Sequence, residues 1–173
     1  MKRNGLIASV LVLSLCILTT PASAERFAIG GYGGYQWPIA QSDADPGGMF
    51  GVKGKIRLTP MLDLEPNINW LLNGDTTTDS GATIKAPEVM SYQLNGILNF
   101  GGRFGLTGGL GWASLDLPTT GSNNHFAWNF GLALEIPLQR VAIDISPRVL
   151  VIHHADGATR KHGYVQAGLN FWF

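Results

Sequence analysis

Residues 163–173 read GYVQAGLNFWF, and two unlike sets of side chains alternate along them. Val165, Ala167, Leu169, Phe171 and Phe173 are apolar. Tyr164, Gln166, Gly168 and Asn170 between them are small, polar or amphipathic, with Trp172 the exception. A period of two belongs to a strand whose faces meet different surroundings. In water, an unbroken apolar row running to an aromatic residue is an aggregation hazard. Against lipid the same row is at home.

Two further stretches carry the pattern with charges. In MFGVKGKIRL (49–58), Phe50, Val52, Ile56 and Leu58 alternate with Lys53, Lys55 and Arg57. In MLDLEPNINWL (61–71), Leu62, Leu64, Ile68 and Trp70 alternate with Asp63, Glu65, Asn67 and Asn69. Folding the chain about Pro60 sets Arg57 opposite Asp63 and Lys55 opposite Glu65, with Leu58–Leu62 and Ile56–Leu64 on the other face. Opposite charges directly across a strand pair attract. A slip of one residue would carry all the cations to the apolar face, where each costs about 2–4 kcal/mol near the middle of a bilayer. The charged face is therefore expected to point inward.

The chain opens on Met1-Lys2-Arg3, continues uncharged through 5–18 and reaches Ala22-Ser23-Ala24. A basic start, a short apolar core and a small-residue exit describe a cleavable secretory signal peptide. It is too short for a spanning helix, which needs about 20 residues. The expected division is a signal peptide at 1–24 and one barrel domain at 25–173. Cys16 raises a lipoprotein reading, but Leu15 stands where a small residue is wanted. Loss of Lys2, Arg3 and Cys16 leaves a slightly acidic, cysteine-free chain, which excludes a disulfide framework and a nucleic-acid footprint.

Eight alternating runs follow, at 27–37, 49–59, 61–72, 88–100, 103–114, 125–136, 140–152 and 162–173. Each has about the length a tilted strand needs to cross a bilayer. Tight turns at 59–61, 101–102 and 137–139 alternate with long polar connections at 38–48, 73–87, 115–124 and 153–161. Short turns at one end and long loops at the other describe an outer-membrane barrel with both termini periplasmic. The expected fold is all-β: an eight-stranded antiparallel up-and-down transmembrane β-barrel, preceded by the signal peptide.

The expected interior ion-pair network comprises Lys53, Lys55, Arg57, Asp63, Glu65, Glu135, Asp144 and Arg148, with Gln93, Asn95 and Asn99 beside it. The outward set includes Tyr92, Leu94, Leu98, Leu106, Leu110, Trp112, Phe126, Trp128, Phe130, Leu132, Leu134, Val141, Ile143 and Ile145. Gly30, Gly34, Gly105, Gly109, Gly111 and Gly131 are expected to leave room inside. Trp37, Trp70, Trp112, Trp128, Trp172, Tyr35 and Tyr92 are candidates for aromatic girdles. Pro66 and Pro147 are expected to mark bulges or breaks in the ladder.

Taken together, these features resemble the small outer-membrane barrels of the OmpA-transmembrane-domain and OmpX type, over the whole mature chain. The resemblance implies that Val165, Ala167, Leu169, Phe171 and Phe173 form the terminal signal read by the barrel assembly machinery. It also implies a monomer among outer-membrane lipid and lipopolysaccharide, with no cofactor and no metal. The function expected is non-enzymatic, a structural or surface role through extracellular loops with a ligand that stays unassigned. Two alternatives stay open. One is a lipid A deacylase-like enzyme using the cluster His153, His154, Asp156 and His162; the His-x-Ser pairing of such enzymes is missing, since Ala155 and Asp156 follow the histidines. The other is a soluble periplasmic lipocalin-like barrel, which would reverse the two faces. The detergent-extracted mature protein should migrate differently on electrophoresis before and after boiling, and identical migration would refute a closed barrel.

Overall fold

The structure, a computed structural model, describes residues 26–39, 45–77, 83–84, 88–101, 103–117, 121–153 and 158–173. The expected signal peptide at 1–24 lies outside them. The strands are β1 (Phe27–Pro38), β2 (Gly47–Thr59), β3 (Leu62–Leu71), β4 (Thr76–Thr77) and β5 (Thr83–Ile84). They continue with β6 (Glu88–Phe100), β7 (Phe104–Leu117), β8 (Gly121–Leu138), β9 (Val141–His153) and β10 (Thr159–Trp172). Eight of them close into one barrel in the order β1-β10-β9-β8-β7-β6-β3-β2. Every barrel pairing is antiparallel. This is the expected up-and-down barrel.

The runs expected from alternation are found as strands, with shifted ends. The largest shift is in β8, which extends the run expected at 125–136 to 121–138. The 73–87 connection is not simply a polar loop. Within it β4 and β5 form a two-stranded ribbon, Thr76 opposite Ile84 and Thr77 opposite Thr83, using the β-branched residues that favour extended backbone.

Closure joins the two ends of the described chain. β1 pairs with β10 from Ala28↔Trp172 to Pro38↔His162. The Arg26 amide donates to the Phe173 carbonyl at 3.1 Å, and the Phe173 amide donates to Phe27 at 2.8 Å. No strand of the barrel is left with a free edge. That matters in lipid, which offers an exposed N–H or C=O no partner.

The two faces of the wall separate as the alternation requires. Leu94, Leu106, Leu110, Trp112, Phe130 and Leu132 are exposed on the outside, whereas Lys53, Lys55, Glu65, Asp144 and Arg148 are at most 3% exposed. Trp37, Trp70, Tyr92, Trp112, Trp128 and Tyr35 all lie on the outer wall or partly exposed within it. Trp172 does not join them. It is 5% exposed and lies in the lumen, because it shares parity with Asn170 and Gln166 rather than with Phe171.

The β2–β3 turn refines the expected register. Arg57↔Asp63 and Ile56↔Leu64 pair as the fold about Pro60 requires, but Thr59 rather than Leu58 lies opposite Leu62. One extra residue on β2 is accommodated as a bulge, and Pro60-Met61 is left as a two-residue turn. Farther up the same ladder the pairing lapses between Lys53↔Asn67 and Ile56↔Leu64, the position of Pro66. The β8–β9 ladder lapses between Gly131↔Arg148 and Leu134↔Ile145, opposite Pro147. Proline has no N–H to give the ladder. These two weak seams stand on opposite sides of the barrel, four strands apart in either direction.

Glycines at inward parity let neighbouring strands approach. A Cβ on Gly111 would drive into the Tyr92 carbonyl oxygen, and one on Gly131 into the backbone and side chain of Arg148. Gly96, on the outer wall, has nothing within 4 Å of such an atom. Gly111→Ala should therefore lower unfolding stability in vesicles by about 1–3 kcal/mol, while Gly96→Ala should stay within experimental error. Equal effects in a urea titration would refute this packing.

Candidate functional site

Among the described residues, chemistry-bearing side chains converge in the interior. At the short-turn end, the Arg57 guanidinium lies 4.2 Å from the centroid of the Trp172 ring, within cation–π range. Its Nε is 3.4 Å from Asp63 Oδ1 and its Nη2 is 3.6 Å from Glu135 Oε1. Asn99 donates to the other Asp63 oxygen at 3.0 Å. One level higher, Lys55 Nζ contacts Glu135 Oε2 at 2.5 Å and Asp144 Oδ2 at 3.6 Å.

Lys53 then reaches Asp144 Oδ1 at 2.7 Å and Glu65 Oε2 at 3.6 Å. Arg148 Nη2 closes the chain on Glu65 Oε1 at 2.7 Å, where Asn95 also donates at 3.2 Å. Four cations and four carboxylates thus alternate across the lumen, and the set is electrically neutral. An amide layer follows. Asn129 donates to Asn95 at 2.6 Å and to Gln93 at 2.9 Å, Asn69 donates to Ser91 at 3.0 Å, and Tyr32 donates to Asn69.

The upper lumen is apolar. Met49, Leu71, Val89, Ala113, Leu115, Ala127, Leu150 and Ile152 pack with Tyr32 and Tyr164 in one buried cluster. The interior is therefore not polar throughout, as alternation had implied. Along 149–152, Val-Leu-Val-Ile, both faces are apolar, so the local sequence does not distinguish inside from outside. Beside this plug, His162 Nδ1 lies 3.2 Å from Gln36 Oε1, and Gln36 donates to Asn73 at 2.6 Å.

The structure brings all eight expected charged residues into one lumen, but it redraws their partners. Lys55 does not pair with Glu65. The ladder lapses at their level, and a narrow barrel lets a lysine side chain span the bore to Glu135 on β8. Such reach follows from closure, and only a contact map of the closed barrel reveals it. Arg57 does meet Asp63 across its own hairpin.

The residues of the terminal motif stand elsewhere. Val165, Ala167, Leu169, Phe171 and Phe173 are all exposed on the outside. The histidines do not assemble. His153 is exposed on the outer wall, where its Nε2 accepts from Trp128 Nε1 at 2.8 Å, whereas His162 is fully buried. His154 and Asp156 lie outside the described residues. Ser146 donates to Asp144 at 3.3 Å, inside the ion-pair network and on the opposite side of the wall from His153. Among the described residues, no group of three or more His, Cys, Asp or Glu is placed to hold a metal.

The network makes a sharp energetic prediction. Removing one member of a buried ion pair costs about 3–5 kcal/mol, because the other charge is left alone. Lys53→Met and Asp144→Leu should each destabilise the barrel by that order, and the double variant should cost at least about 1 kcal/mol less than the sum. A urea-unfolding cycle in vesicles that came out strictly additive would rule out the pairing.

A family model described as "Outer membrane protein beta-barrel domain" matches residues 8–171. No curated protein matches the sequence. Several solved barrels share the fold. Neisserial surface protein A is 16% identical, with a TM-score of 0.61 over 85% of this chain and 97% of its own. The attachment invasion locus protein Ail of Yersinia pestis, solved in complex with the heparin analogue sucrose octasulfate, is 14% identical, with a TM-score of 0.51 over 87% of this chain and 100% of its own. The outer membrane protein OprG of Pseudomonas aeruginosa is 12% identical, with a TM-score of 0.51 over 87% and 96% of the two chains.

Proposed function

This chain belongs to the outer membrane protein beta-barrel family and is an outer-membrane protein, and from that premise we propose that it is a non-enzymatic barrel acting through its extracellular loops. The observation that carries the reading is the filled bore. A neutral ion-pair network occupies the short-turn half and an apolar plug the other. Open aqueous channels belong to barrels of about 16 strands, whereas eight strands leave space that side chains fill. With the interior occupied, the long connections remain as the surface that meets the environment. Ail, a barrel of this architecture, was solved in complex with the heparin analogue sucrose octasulfate, which supports a surface role here.

Several finer features belong to the same reading. Residues 1–24 act as the cleaved export signal. The outward row Val165, Ala167, Leu169, Phe171 and Phe173 serves the barrel assembly machinery. The finished barrel is a monomer among lipopolysaccharide and phospholipid, with an extracellular ligand recognised by the loops.

Two measurements test the proposal. In planar bilayers the folded protein should give no porin-sized conductance steps. Replacing residues 73–87 with a Gly-Ser linker of equal length should leave the heat-modifiable mobility intact and abolish adhesion of expressing cells to sulfated glycan surfaces. Regular conductance steps, or adhesion indifferent to the loop, would reject it.

A further inference from the structure

Four arginines stand at the short-turn end, and strand register puts all of them on the lumen side of the wall. The Arg57 amide donates to Arg26 O at 2.9 Å, Glu135 to Arg103 O at 2.8 Å and Trp172 to Arg140 O at 2.8 Å. Directly opposed residues of an antiparallel pair share a face, and Arg57, Glu135 and Trp172 are lumen residues. Arg57, Arg103 and Arg140 are exposed, at the mouth of the bore. In the closed order of strands they stand near the end of β2, just before β7 and just before β9. Two, three and three strand steps separate them, so they surround the opening rather than crowd one side of it.

Charge at this mouth is unbalanced. The lumen network is neutral by itself and takes only Arg57 from this set. Arg26 has its own partner within the protein. The side chains of Arg103 and Arg140 have none among the described residues. No exposed carboxylate side chain lies at this end among the described residues, whereas Asp45, Asp75 and Glu88 are exposed at the other. Two surplus cations thus face an opening whose floor is the buried Trp172, packed with Ala28 and Ala142.

Composition narrows the partner. The Asn99 amide donates to Met61 O at 2.8 Å, so Met61 shares the lumen side, and it is 56% exposed. Methionine is a pliable apolar contact, and protein interfaces are enriched in arginine and methionine together. A small inorganic anion has no use for Met61. A peptide carrying carboxylates and an aliphatic side chain uses both, since guanidinium takes carboxylate through paired N–H donors. Tight turns hold two of the arginines: Gln139, at φ 59°, directly precedes Arg140, and Gly101, at φ 64°, lies two residues before Arg103. Little loop freedom is lost when a partner docks on such turns.

We propose that this mouth of the bore docks an acidic peptide segment of a periplasmic protein. The segment's carboxylates pair with Arg103 and Arg140, and an aliphatic side chain rests on Met61. Arg57 contributes only its exposed part, since Asp63, Glu135 and Trp172 already hold it. The periplasmic location of the partner rests on the barrel orientation taken in the proposed function; the peptide chemistry is read without it.

The test uses full-length mature protein in phosphatidylcholine nanodiscs, which leave both ends of the barrel accessible. The probe is the fluorescein-labelled peptide Glu-Asp-Leu-Glu-Asp-Glu, with Gln-Asn-Leu-Gln-Asn-Gln as its uncharged counterpart, followed by fluorescence anisotropy. The acidic peptide should bind and the amide peptide should not. Arg103→Gln/Arg140→Gln should weaken binding about tenfold, Met61→Asn should weaken it severalfold, and Lys161→Gln, at the opposite end, should leave it unchanged. Heat-modifiable mobility reports whether the double variant folds; if it does not, the single variants at Arg103 and Arg140 carry the test. Equal binding of the two peptides, or binding that survives loss of the arginines, overturns the docking site. Indifference to Met61→Asn together with full displacement by equimolar inorganic pyrophosphate would also overturn it, leaving a simple anion site. Protease access to the turns in intact cells tests their periplasmic placement separately.

Discussion

Lipid cannot hydrogen-bond a peptide group, and that single deficiency organises the molecule. A strand in hydrocarbon must find both neighbours, so a sheet there has to close on itself. Here the closing seam is β1 on β10, where Arg26 and Phe27 meet Phe173. The two places where the ladder lapses, at Pro66 and Pro147, lie across the barrel from each other rather than side by side. A seam flanked on both sides by intact ladders tolerates a missing donor better than a wide gap would.

Closure then dictates the interior. Eight strands enclose a bore that side chains must fill, and the alternation that faces lipid with leucine and phenylalanine leaves every second residue to fill it. Apolar residues at all of those positions would make each strand continuously hydrophobic. Such a chain would be prone to lodge in the inner membrane as it is exported. Alternating polar residues keep the mean hydropathy at only +0.12. Buried ion pairs add little stability relative to well-packed apolar groups, so the lumen network is best understood as what an exportable barrel can carry inside. Its neutrality and its cross-bore geometry keep the cost tolerable.

Much of this was legible in the residues. The fold class, the strand count of the barrel and the sidedness of Lys53, Glu65, Asp144 and Arg148 follow from a period of two and from the penalty for a charge in hydrocarbon. The turn at Pro60-Met61 escaped by one residue, because bulges obey the geometry of the turn rather than the hydrophobic pattern. The 76–84 ribbon escaped because four residues are too few to show a period. Trp172 looked like a girdle residue by type, yet its parity set it in the lumen beneath Arg57.

Where polar and apolar residues alternate, the linear chain by itself determined which side chains face lipid and which face inward, because one-residue register slips are too costly in a membrane to be adopted. It also determined that Arg57 lies near Asp63, since a hairpin makes neighbours of residues close in sequence. Only the closed barrel decided that Lys55 meets Glu135, that Lys53 meets Asp144, and that Arg148 completes the chain on Glu65. Those partners are separated by 80, 91 and 83 residues, and nothing local encodes the width of the bore that brings them within reach. The same holds for the apolar plug, whose members come from different hairpins and share a level only because shear and closure stack the strands around one axis.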